Sequence, residues 1–209
     1  MNSDTRAYLL LTMTALCWGG NAVFGRLAVG EVSPMLLVTL RWLGVVVLIG
    51  IFANRYIKAE WYILRIHLPY VAAMGALGFT AFNALFYVAA HSTTAINIGI
   101  IQGAVPVFVL TGAFLMHRTK VTPLQLSGVM LTMLGVAIVA SAGSMERLAG
   151  MAISLGDGLM VIACSLYAGY AVGLLKRPVV SSMALFTAIA GCAFIASVPL
   201  VAVEVLLGQ

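Results

Sequence analysis

Arg41 stands inside an apolar run, residues 33–53, in a 209-residue chain that is 63% hydrophobic and 8% charged. An ionised guanidinium in such surroundings is costly unless it meets water or a partner. Its planar fork of N–H donors suits a carboxylate or phosphate, and the same fork can brace helices by donating to backbone carbonyls. Other polar side chains also sit inside apolar runs. Thr80, Asn83, Tyr87 and His91 recur every three or four residues, so they share one helical face. Thr14, Trp18, Asn21 and Gly25 do the same earlier in the chain, and Tyr167 and Tyr170 later. Gln102 precedes Pro106 by one turn. Within lipid, such a stripe must face protein or water. It either walls a passage for a polar solute or hydrogen-bonds between helices. Trp18, Asn21, Arg41, Thr80, Asn83, Tyr87, Gln102, Tyr167 and Tyr170 are the candidate substrate-cavity residues, and Pro106 is the expected helix break. Arg26 and His91, near span ends, are interfacial candidates.

Other chemistries lack their residues. Asp4, Glu31, Glu60, Glu146, Asp157 and Glu204 all fall in loops or near the ends of apolar runs. No carboxylate is expected at mid-membrane, which argues against a proton relay of buried acids. Cys17, Cys164 and Cys192 show no CxxC or Cys/His ligand spacing, so neither a metal nor a cofactor is expected. There is no Gly-x-Ser-x-Gly elbow and no His-Glu-x-x-His, and an enzyme is not expected. Residues 181–207 carry no lysine for a retinal Schiff base. The eleven Lys and Arg residues do not cluster, so nucleic acid is not an expected partner.

The elements that hold these residues follow from hydropathy, which averages +1.11. A spanning helix needs about 20 mostly apolar residues. Seven runs qualify: 8–29, 33–53, 67–90, 94–116, 122–142, 156–175 and 181–207, with 54–65 as the longest charged connection. With the N-terminus cytoplasmic, the cytoplasmic segments hold Arg6, Arg55, Lys58, Arg65, Arg118, Lys120, Lys176 and Arg177, and the opposite side only Arg147. That asymmetry predicts the N-terminus inside and residue 209 outside. The expected class is an all-α, polytopic membrane helix bundle. Pro106 should kink the fourth span and free a backbone carbonyl. The pairs Gly99/Gly103 and Gly169/Gly173 should allow close helix packing.

The first span resembles the sixth. Trp18 falls on Tyr167, Gly20 on Gly169 and Ala22-Val23 on Ala171-Val172, at an offset of 149. The second resembles the seventh: Ser33, Met35, Leu37 and Thr39 fall on Ser181, Met183, Leu185 and Thr187, at an offset of 148. A five-helix unit that recurs is inverted in the membrane, because five is odd. The expected organisation is therefore a first repeat over 1–145 and two helices of a second over 150–209, seven helices of an expected ten, the chain being cut short after the seventh.

Trp18-Gly19-Gly20-Asn21, Arg41, Pro106, the following basic turn, Gln125, Gly128 and Gly135, and the restart at Gly156-Asp157 through Tyr167 together resemble the EamA-type transporters of the drug/metabolite transporter superfamily. The resemblance covers essentially the whole chain. His117 departs from it, standing where members usually carry Glu before a basic residue. The resemblance implies ten helices in two inverted halves around a central cavity, in the bacterial inner membrane. It implies export or exchange of a small solute, amino-acid-like or amphiphilic, by alternating access. A channel-like facilitator, or a structural or sensory membrane protein, is the alternative. The expected partners are the solute and the lipid bilayer.

Overall fold

The computed structural model describes residues 3–28, 30–146, 150 and 152–206, and they are helical with short connections. Contacts divide the chain into Met1–Ser33 and Pro34–Gln209, and each unit is described by itself. The first unit is one helix, α1 (Ser3–Leu27). The hydroxyls of Thr12 and Thr14 donate back to the carbonyls of Tyr8 and Leu10, so even these polar side chains are satisfied within the helix. Arg26, at its end, and Arg147 lie outside the described side chains.

In the second unit, α2 (Pro34–Ile66) runs unbroken for 33 residues. That is about 50 Å, well beyond the ~30 Å hydrocarbon core. The stretch 54–65, expected as a connection, is helical. It carries Arg55, Lys58, Glu60 and Arg65 but no Gly or Pro, so nothing in it stops a helix already nucleated upstream. α3 (Leu68–Ser92) follows. Its middle, Met74–Ala81, is π-helical. Next come α4 (Ala95–Gly103) and α5 (Val105–His117), separated at Ala104. Pro106 lies in the first turn of α5, so the fourth apolar run is two helices rather than one bent helix. Proline suits a first turn because its missing N–H has no intrahelical role there. α6 (Pro123–Ala140), α7 (Leu155–Gly173) and α8 (Ser182–Leu206) complete the unit.

Among the described residues, five helical segments are long and apolar enough to cross a membrane: Pro34–Ile66, Leu68–Ser92, Ile96–His117, Leu155–Lys176 and Ser182–Leu206. Pro123–Val139 is a shorter apolar helix. Leu124, Leu131, Val139, Ile153 and Leu206 are strongly exposed. A water-soluble fold would have to cover such surface, whereas lipid solvates it. The chain is a polytopic helical membrane protein.

The core lies among α2, α3, α7 and α8, built from Val38, Trp42, Leu64, Val71, Phe79, Phe86, Met160, Cys164, Leu185 and Ile189. Two glycines of the π-helical stretch lie close against neighbouring helices. A Cβ on Gly75 would lie 2.6 Å from the Ile189 carbonyl oxygen of α8, and one on Gly78 would lie 2.5 Å from Tyr170 of α7. Of the glycine pairs, Gly103 meets Val136 and Gly173 meets Met74, while Gly99 and Gly169 have open space.

α2 and α8 run antiparallel, and each supplies an acid to the other's first turn. Glu204 of α8 accepts from the Met35 N–H of α2 at 3.2 Å. Glu60 of α2 accepts from the N–H and the hydroxyl of Ser181, both at 2.9 Å, just before α8. The free N–H groups and the positive end of a helix dipole favour a carboxylate at both places.

Candidate functional site

Arg41 comes off α2 half-buried. Its Nη1 donates to the Tyr87 hydroxyl of α3 at 3.4 Å, and its Cζ lies 5.0 Å from the centre of the Trp42 ring. The guanidinium thus rests against an indole face that offers it negative potential. Trp42, which sequence reasoning passed over, stacks on Phe79 with centroids 4.5 Å apart and planes 3° from parallel. Phe79 extends the cluster to Tyr170 of α7 at 5.1 Å and to Phe186 of α8 at 6.0 Å. Tyr167 packs on Phe82 at 5.2 Å and on Tyr170 at 5.7 Å. Tyr87 meets Phe86 edge-on at 5.2 Å. The aromatic assembly joins four helices, and Arg41 is the charge at its border.

The stripe on α3 faces protein. Thr80, Asn83 and Tyr87 are buried, whereas His91, one turn further, is exposed. Thr80 donates to the Ala193 carbonyl of α8 at 2.7 Å. Asn83 donates to the Phe79 carbonyl at 2.6 Å, where the π-helical stretch returns to α-helical spacing. Both therefore brace backbone in this conformation. Gln102 is half-buried in the last turn of α4, beside the break at Ala104. Trp18 and Asn21 stand on α1, in the first unit.

A second polar centre escaped the sequence reading, which set Asp157 aside as a span-end acid. Asp157, in the first turn of α7, is buried. It accepts from the Thr93 hydroxyl after α3, from Asn97 Nδ2 of α4 at 3.0 and 2.9 Å, and from the Ser154 N–H at 2.7 Å. Asn97 Nδ2 also reaches the Ala152 carbonyl at 3.3 Å. One carboxylate thus ties the turn between α3 and α4 to the start of α7. The spacing Ser154-x-x-Asp157 is a capping box and was readable as one. Thr122-x-x-Gln125 forms the same device at α6, which gives Gln125 a local role. Among the described residues, no group of three His, Cys, Asp or Glu is placed to hold a metal ion.

These features suit a helical membrane protein with polar and aromatic side chains gathered inside its bundle, and comparison with known proteins agrees. Residues 5–141 match the EamA-like transporter family. The chain is 31% identical over 178 residues to an uncharacterized transporter of Archaeoglobus fulgidus, covering 82% of this chain and 57% of that protein. It is 28% identical over 153 residues to the uncharacterized transporter YyaM of Bacillus subtilis, covering 72% of this chain and 49% of that protein. The chain therefore spans about half the length of the curated relatives it matches. No solved structure matches it. By the extent of the match over residues 5–141, the chain belongs to the EamA-like transporter family.

Proposed function

We propose that the chain works as a secondary transporter that exports or exchanges small metabolites, amino-acid-like or amphiphilic, by alternating access. The observation that carries this reading is the Arg41–Tyr87 pair beside the Trp42–Phe79–Tyr170 cluster, where four helices meet. A charged fork next to aromatic faces suits a solute with one anionic group and an apolar body. Thr80 and Asn83 hold the neighbouring backbone, and Tyr167 and Tyr170 supply the opposing wall. The antiparallel α2 and α8, whose opening residues match in sequence, support two inverted repeats meeting around that site. The protein sits in the inner membrane with its N-terminus cytoplasmic, on the charge asymmetry of its connections.

The test is flux in proteoliposomes containing the full chain, with a labelled equimolar mixture of the twenty L-amino acids as probe. A carrier gives saturable uptake and counterflow. Flux equal to that of protein-free liposomes would refute the amino-acid reading, and flux that never saturates would indicate a channel instead.

A further inference from the structure

The Arg41 turn of α2 carries two further donors that the fold leaves without partners. Trp42 Nε1 and Thr39 Oγ1 are buried and make no hydrogen bond to any described residue. They lie three residues apart, on one face of the helix. A buried donor that has given up water without gaining an acceptor is destabilising, and native structures retain few of them. Here two fall within one turn, beside Arg41. The Trp42 ring also lies flat on Phe79, within the π-helical stretch of α3. Such stretches are frequent at functional sites.

We infer that the Thr39–Trp42 turn is the solute's acceptor site: Trp42 Nε1 and Thr39 Oγ1 donate to a carboxylate that Arg41 attracts. In the present conformation both donors are shut off from solvent. They meet the solute when the Trp42–Phe79 contact parts, and the unmade bonds of the closed state favour that opening. This assignment rests on the carrier reading given above.

Two conservative variants separate binding from packing. Trp42→Phe keeps a stacking ring and removes the N–H, and Thr39→Val keeps the shape and removes the hydroxyl. If the donors were packing remnants, each variant would transport as well as the parent. If they bind the carboxylate, each raises KM about tenfold or more, the loss expected for one hydrogen bond to a charged group, and Thr39→Val does so without loss of thermal stability. The measurement uses the full chain in proteoliposomes and the labelled L-amino acid mixture. Unlabelled L-amino acid amides, which lack the carboxylate, should compete poorly. KM within about twofold of the parent in both variants, or amides competing as well as acids, overturns the assignment.

Should the parent carry no amino acid, the carrier reading for that substrate fails, and a solute-free measurement decides the role of the turn. In detergent-solubilised, 15N-tryptophan-labelled protein, the Trp42 indole N–H is identified by its loss in Trp42→Phe. Exchange with D2O within minutes shows that the turn opens to water. Protection equal to that of the Trp42 backbone amide, visible in the same spectrum, overturns the assignment.

Discussion

Replacing Asp157 tests whether one carboxylate holds together the junction of α3, α4 and α7. Asp157→Ala strands three donors: the Thr93 hydroxyl, the Asn97 amide and the Ser154 N–H. Hydrogen bonds to a charged group contribute about 1.5–3 kcal/mol each. They do not add in a shared network, and removing the carboxylate also removes its own burial penalty. A net loss of about 3 kcal/mol follows, which for a chain of this length is roughly 6–12 °C in Tm. Asp157→Asn should fall between. Its oxygen can serve Ser154 and Asn97, but its NH2 then points at the Thr93 hydroxyl, which can rotate to accept, and at the Asn97 amide, which cannot. Thermal unfolding in detergent, followed by a thiol-reactive dye, reads this directly. Cys164 is buried and labels only on unfolding, so its reaction with the dye reports the transition. Asp157→Ala melting within about 1 °C of the parent would refute the latch, because at this chain length that shift is well under 1 kcal/mol.

Arg41→Ala should abolish flux or assembly, and Arg41→Lys should recover little, because a single ammonium cannot reproduce the fork; equal flux in both variants would remove Arg41 from the mechanism. Gly78→Ala places a methyl against Tyr170 and should cost about 1–3 kcal/mol in thermal unfolding, whereas Gly19→Ala, with open space around it, should cost less than about 0.5 kcal/mol. Glu60→Ala and Glu204→Ala should each cost about 0.5–2 kcal/mol as lost helix-terminal partners. Their effects should add in the double variant, since the two sites lie at opposite ends of α2.

The helices and their order were readable because lipid imposes a simple rule: about twenty apolar residues, then a break. The rule does not say where a helix ends once it leaves lipid. By that rule the charged stretch 54–65 reads as a connection, though every residue in it tolerates helix. The break before α5 was announced by Pro106, but the π-helical stretch of α3 was not. Met74-Gly-Ala-Leu-Gly-Phe-Thr-Ala81 reads as ordinary apolar helix, and the change of spacing coincides with the close approaches of Gly75 to α8 and of Gly78 to α7, which no local pattern records. Trp42 was overlooked because an indole among Val and Leu gives no polar signal; its unpaired N–H exists only once Phe79 has closed on it. Asp157 was half legible. Ser154-x-x-Asp157 spells a cap, but Thr93 and Asn97 reach it from sixty residues away, and no local pattern records that.

The acids set aside as span-end residues support the inverted repeat more than the apolar matches do. Two helices related by a twofold axis in the membrane plane must run antiparallel, and whatever caps one should recur at the other. Ser33-Pro-Met35 and Ser181-Ser-Met183 are matched beginnings at an offset of 148. Each receives a glutamate from the far portion of the other helix. Applying the offset to Glu60 gives residue 208, whereas the acid stands at 204, one helical turn earlier. A glutamate side chain can span part of a turn, so the contact persists although the position has drifted. An accidental apolar resemblance would not be expected to place an acid at both ends of one helix pair. Engineered cysteines read this geometry. Met35→Cys with Glu204→Cys, and Glu60→Cys with Ser181→Cys, should each cross-link in native membranes, whereas Met35→Cys with Glu60→Cys, on one helix about 38 Å apart at 1.5 Å per residue, should not. Failure of both cross-helix pairs would dismantle the antiparallel arrangement, and with it the support it lends to two inverted halves.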